Sequence, residues 1–261
     1  MIFRQKEVDM RALQTDLSIY KKFNFERPPV GIKYFFHKPE GIEQLDKELA
    51  FCEMLKEAHE RNKPFYFAKE NEDCSGKAAL GMMDETAPFA ASGEMGTRLG
   101  IFQEPRANAR LFRHNLGLGK GTVNYVAYAP FDQLTFDPDL LVIVATPRQA
   151  EIVLRAMTYS TGVLYESKTA NVLACSWLYV YPYLSAKVNY VVTGLEFGME
   201  GRKVFPEGLI IISIPHDWIP TITRNLNEMT WDIEAYTLGR EKFIQWEHGI
   251  MEGMAKELKN H

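Results

Sequence analysis

Six apolar residues in a row, Leu-Leu-Val-Ile-Val-Ala at 140–145, stand directly before Thr146-Pro147 and an amphipathic segment that runs to about residue 159. No other stretch restricts the fold as much. A continuous run of β-branched and Leu side chains suits a strand buried on both faces, because a strand with one wet face alternates instead. Thr146 supplies an N-cap hydroxyl, and Pro147 a fixed φ at the first helical position, where no backbone N–H is needed. Strand, cap and helix in succession make half of a βαβ unit and imply a sheet covered by helices.

The rest of the chain is compatible with that class. Residues 30–36, after Pro28-Pro29, read as a buried strand, and 65–68, 123–129, 189–192 and 209–214 as further strands. Met10, Leu13, Leu17 and Tyr20 recur at helical spacing from about residue 9. A second helix is expected over 41–61, with Leu45, Leu49, Cys52, Leu55 and His59 along one side, and a third over 217–229. Residues 73–121 are rich in Gly and Met and suit short helical pieces. A long amphipathic helix over about 231–259 closes the chain. No linker, repeat or low-complexity tract interrupts it. The fold expected is α/β: a mixed sheet covered by helices in a single domain, 1–261, with its core at about 15–230.

At 261 residues and 46% hydrophobic, the chain can bury a core without staples. Its 30 basic and 34 acidic residues, net charge −4, argue against a nucleic-acid partner. No run of about eighteen apolar residues occurs, so no membrane span is expected. The N-terminus lacks the apolar stretch of a secretory signal. Three cysteines, an odd and sparse number, fit a reducing cytoplasm.

Chemistry has few candidate positions. Cys52, Cys74 and Cys175 form no Cys-x-x-Cys pair. Thiolates suit soft metals, and three from distant segments could converge on an iron–sulfur cluster whose fourth ligand comes from Asp, His, solvent or another subunit. Against this, Cys52 shares its helix side with leucines, and Cys175 lies among Leu173, Ala174 and Trp177, as packing thiols do. Cys74 stands before a short helix, where backbone N–H groups favour a thiolate. Arg106, Arg110, Arg113 and His114 share one helical face and lead into Leu-Gly-Leu-Gly-Lys-Gly. They could hold a phosphate, or the carboxylates of a haem-like tetrapyrrole, or simply form a solvated face pairing with Glu104. Met82, Met83 and Met95 suit either a flat cofactor pocket or core gap-filling. His216, directly after a strand, is either a site residue or part of a helix cap. No nucleophile elbow and no dinucleotide fingerprint is present.

The PPVGIKY strand at 28–34, Cys52, DCSGKAALGM at 73–82, the block APFDQLTFDPDLLVIVATPRQAEIVLRAMTY at 129–159 and the cysteine of NVLACSW together resemble the family called domain of unknown function 169. The resemblance spans about 15–230. Members usually carry two glycines closely after a cysteine at the position of Cys74, where this chain has Ser75-Gly76-Lys77. All three cysteines fall where the family tends to carry cysteine. The resemblance implies the cytoplasm of anaerobic bacteria and archaea and supplies no reaction. Three functions are therefore expected in competition: a redox protein with a cysteine-ligated iron–sulfur cluster, a tetrapyrrole-binding protein, or a non-catalytic assembly or chaperone-like protein. A homo-oligomer, most simply a dimer, is expected from Phe243, Ile244, Trp246 and Ile250 in the last helix. Cys74 is expected close to Cys52 or Cys175, in a partly enclosed pocket.

Overall fold

The structure, a computed structural model, describes residues 12–83 and 92–259. Seven strands form one sheet: β1 Val30–Phe35, β2 Glu43–Gln44, β3 Phe65–Phe67, β4 Tyr125–Pro130, β5 Leu140–Ala145, β6 Asn189–Val192 and β7 Ile210–Pro215. Their order across the sheet is β2-β3-β4-β1-β5-β7-β6. The helices are α1 Phe51–Arg61, α2 Gly76–Ala79, α3 Glu94–Arg98, α4 Pro105–Phe112, α5 Pro147–Tyr159, α6 Tyr181–Ser185, α7 Phe197–Gly201, α8 Ile219–Glu228 and α9 Arg240–Lys259. The chain divides into two compact units, Met1–Asn227 with the sheet and Glu228–His261 with α9.

β5 lies inside the sheet between β1 and β7, and all six of its residues are buried. Thr146 caps α5 as its sequence implies: its Oγ1 accepts the Gln149 N–H at 3.3 Å, and the Gln149 side chain accepts the Thr146 N–H at 2.9 Å. Such a reciprocal cap satisfies two N–H groups that a helix start otherwise leaves orphaned.

The βαβ expectation is corrected. β5 is antiparallel to both β1 and β7, and among the described strands only β2 and β3 pair in parallel. Unbroken apolarity reports burial on two faces, which α5 and the opposite layer provide, and says nothing about strand direction. The expected helix over 41–61 begins only at Phe51. Leu45 is buried in extended chain instead, its carbonyl accepting from the Asn71 side chain at 2.8 Å. The opening helix is also revised. Residues 9–11 lie outside the described residues, Leu13 N–H donates to Thr135 O at 3.1 Å, and helical structure starts with a 3-10 helix at Ser18–Phe23. The closing helix is interrupted: Gly239, at φ +72°, separates the short turn Glu234–Thr237 from α9. Left-handed φ costs glycine nothing.

On the face beneath α1 the core is aromatic. Phe51 meets Phe67 at 5.2 Å and Tyr179 at 4.3 Å between ring centroids, and Phe65 stacks on Tyr128 at 5.4 Å. All five are buried. Each ring contributes roughly 1.5–3 kcal/mol through burial, and together they clamp α1 and the π-helical turn Ser176–Val180 onto the sheet.

Candidate functional site

The segment before α2 is tied to the chain that enters α1. Leu49 N–H donates to Asn71 O at 2.9 Å, and Asp73 N–H donates to Leu49 O at 3.2 Å. This pairing carries Cys74 alongside the first turn of α1, where Cys52 sits. Gly76 makes the approach possible: a Cβ there would stand 3.1 Å from both Phe51 Cβ and Glu72 Oε1. Phe51 also packs against Tyr179, in the turn that begins directly after Cys175. The three cysteine segments thus surround one aromatic side chain.

Cys74 is exposed, whereas Cys52 and Cys175 are half-covered. Burial above all, then the charge of Cys74, pushes the Cys52 thiol up to about 12. Cys175 is pushed higher still, by burial first and then by Cys74, Glu72 and Cys52. Both inner thiols are therefore protonated at neutral pH.

Two buried carboxyls complete this neighbourhood. Burial raises Glu72 to about 7, opposed by the Lys77 N–H, which donates to Oε2 at 3.1 Å. Glu196, directly before α7, rises to about 8, again through burial, although Thr169 Oγ1 donates to it at 3.4 Å. Glu72 Oε1 and Glu196 Oε2 have no hydrogen-bond partner among the described residues. Arg202, just past α7, bridges outward to Glu53 at 2.8 Å and Asp73 at 3.1 Å.

Beside Cys74 opens a partly enclosed cavity of about 500 Å³ with mainly apolar walls. Met83, Met95, Phe112 and Leu173 stand on it with Cys74 and Arg202. The buried Asn108 also belongs to its lining, with its Nδ2 donating to Gly93 O at 3.3 Å and its Oδ1 without a hydrogen-bond partner among the described residues. An orphaned buried acceptor costs about 1–3 kcal/mol.

Arg106, Arg110, Arg113 and His114 stand exposed along and just after α4, and none lines the cavity. Arg106 pairs with Glu104 at 3.2 Å. The same helix turns Asn108 and Phe112 inward instead. In the glycine-rich turn that follows, Leu118 N–H donates to Ala79 O and Gly121 N–H to Gly81 O, each at 2.8 Å, so these amides are committed to packing against the end of α2. Met82 is buried in the core, while Met83 and Met95 reach the cavity. His216 lies at the end of β7 with Nδ1 3.2 Å from Pro138 O. Among the described residues no three His, Cys, Asp or Glu side chains form a group that could hold a metal ion, and no helix is long and apolar enough to cross a membrane.

Asn108, Glu72, Glu196 and Arg202 escaped the sequence reading. Only Glu72, two residues before Cys74, had a neighbour to draw attention to it. Buried carboxyls and orphaned amides leave no periodic trace in a sequence.

Comparison with known proteins adds a family and no activity. The family described as uncharacterised ArCR, domain of unknown function 169, matches residues 18–225. The uncharacterized protein MJ0308 of Methanocaldococcus jannaschii is 25% identical over 194 residues, which cover 73% of this chain and 83% of that protein. No solved structure matches.

Proposed function

The chain belongs to the domain of unknown function 169 family, and from its cavity we propose a cofactor-binding redox protein that holds a flat, largely apolar cofactor beside Cys74. A tetrapyrrole is the cofactor class that fits best. The observation that carries this reading is the sulfur-lined cavity, in which Cys74, Met83 and Met95 share the wall with the buried Asn108. Apolar walls bury a flat ring system, while a few polar groups fix its orientation. Thiolate and thioether are both ligand types for haem iron. The exposed cations of α4 have no part in this version of the site.

The iron–sulfur reading is second, supported by the mutual influence of Cys52, Cys74 and Cys175. It requires two protonated inner thiols to lose their protons and turn toward Cys74, against the burial that holds them neutral. The cytoplasmic location proposed with either reading rests on three free cysteines.

The test is a visible spectrum of protein purified without oxygen, with iron and acid-labile sulfide analysis, followed by titration with haemin and with protoporphyrin IX. Stoichiometric uptake of a tetrapyrrole, weakened in Cys74→Ala and Asn108→Leu, is expected. Iron and sulfide in equal amounts would overturn the tetrapyrrole in favour of the cluster. Colourless protein that takes up neither would overturn both and leave the assembly reading.

A further inference from the structure

α9 lies beyond the family match and runs for 20 residues without burying one; at 1.5 Å per residue it is about 30 Å long. On a wheel of 3.6 residues per turn, Phe243, Trp246, Ile250, Met254 and Leu258 fall within an arc of about 120°. The last four are exposed by 44% (Ile250) to 77% (Leu258). Glu247 and Glu257 fall within the same arc, and an apolar stripe in water, even with two carboxylates set into it, marks a surface that a partner covers. Gly249 and Gly253 flank the stripe, and a Cβ added at either would meet nothing within 4 Å. Each glycine costs an exposed helix roughly 1 kcal/mol against alanine. Small residues beside an apolar stripe let a second helix backbone come close.

We infer that α9 is a dimerisation helix that packs antiparallel against α9 of a second copy, centred on Ile250. Charge selects both partner and direction. Arg240, Lys242, Lys256 and Lys259 balance Glu241, Glu247, Glu252 and Glu257, so the helix lacks the basic excess that draws amphipathic helices to anionic lipid. Lys242 borders the stripe near its N-terminal end, and Glu257 lies within it near its C-terminal end. An antiparallel pair sets Lys242 of one copy against Glu257 of the other, and symmetry repeats the contact. A parallel pair would leave Lys242 and Glu257 fifteen positions apart, at opposite ends of the seam. The same register places Ile250 on its own copy and Trp246 against Met254, a ring–sulfur contact. Opposed helix dipoles favour the arrangement further. None of this depends on what the cavity binds.

Sedimentation equilibrium of the full chain tests it, and a species of twice the chain mass is expected. Ile250→Glu should give a monomer with an unchanged circular dichroism spectrum, because the residue takes no part in the core of the sheet. Lys242→Glu should weaken the dimer, and Lys242→Glu combined with Glu257→Lys should restore it. A wild-type monomer across the micromolar range, or a dimer indifferent to Ile250→Glu, would overturn the inference. Failure of the charge exchange to restore association would overturn the antiparallel register. Flotation of the wild type with anionic phospholipid vesicles would assign the stripe to lipid and overturn the inference as well.

Discussion

Phe51 meets Tyr179 edge-on, 4.3 Å between ring centroids at an interplanar angle of 64°. Through this contact the start of α1, which carries Cys52, is held against the turn that follows Cys175. Phe51 also lies against Gly76, two residues after Cys74, where a Cβ would stand 3.1 Å from the Phe51 Cβ. One buried ring therefore positions all three cysteine segments.

Phe51→Ala should lower stability by about 3–5 kcal/mol, the usual cost of truncating a buried aromatic. Urea denaturation followed by far-UV circular dichroism measures it. The same variant should make Cys52 and Cys175 react faster with an aromatic disulfide reagent. A loss well under 1 kcal/mol would mean that the ring does not organise this region.

In the wild type only one thiol should react rapidly, since Cys74 is exposed while burial holds Cys52 up at about 12 and Cys175 higher. The thiolate is the reactive form. Cys74→Ala should abolish the fast phase and change stability by no more than about 0.5 kcal/mol, as exposed positions usually do. Two fast thiols per native chain would contradict the burial described for the inner pair.

Stability should decline as pH rises. Glu196 and Glu72 titrate near 8 and near 7 in the folded protein, against an ordinary value of 4.5. The folded state thus binds protons that the unfolded state has already released. This contribution is complete below about 4.5 and is lost as pH climbs through 7 to 8. Glu196→Gln, which stays neutral, should flatten the fall in Tm between pH 5 and 9, on the order of a few degrees for each kcal/mol recovered. An unchanged slope would show that Glu196 is ionised at low cost in the fold.

Gly76→Ala should destabilise by about 1–3 kcal/mol, because its Cβ would press on Phe51 and on the Glu72 carboxyl at 3.1 Å. Thermal unfolding reads the effect directly. Gly253→Ala has nothing within 4 Å in the chain itself, so it should leave the unfolding of the sheet unit untouched and alter only self-association.

Sequence alone determined what is decided within about ten neighbouring residues. The strand at 140–145, the Thr146 cap and the helix ending at Tyr159 are all found where the residues put them, because burial pattern and capping chemistry are local. The family, too, was legible in contiguous motifs. Tertiary structure decided the rest, since it depends on contacts between distant segments. The direction of β5's neighbours is set by how the chain returns from β4 and β6, which no apolar run encodes. Leu45 carries helical spacing yet lies in extended chain, because Asn71 captures its carbonyl from another segment. Arg106 and Arg110 share α4 with Asn108, and sequence drew attention to the cations. Packing alone turned the neutral amide inward, into the lining of the cavity, and left its oxygen without a partner among the described residues.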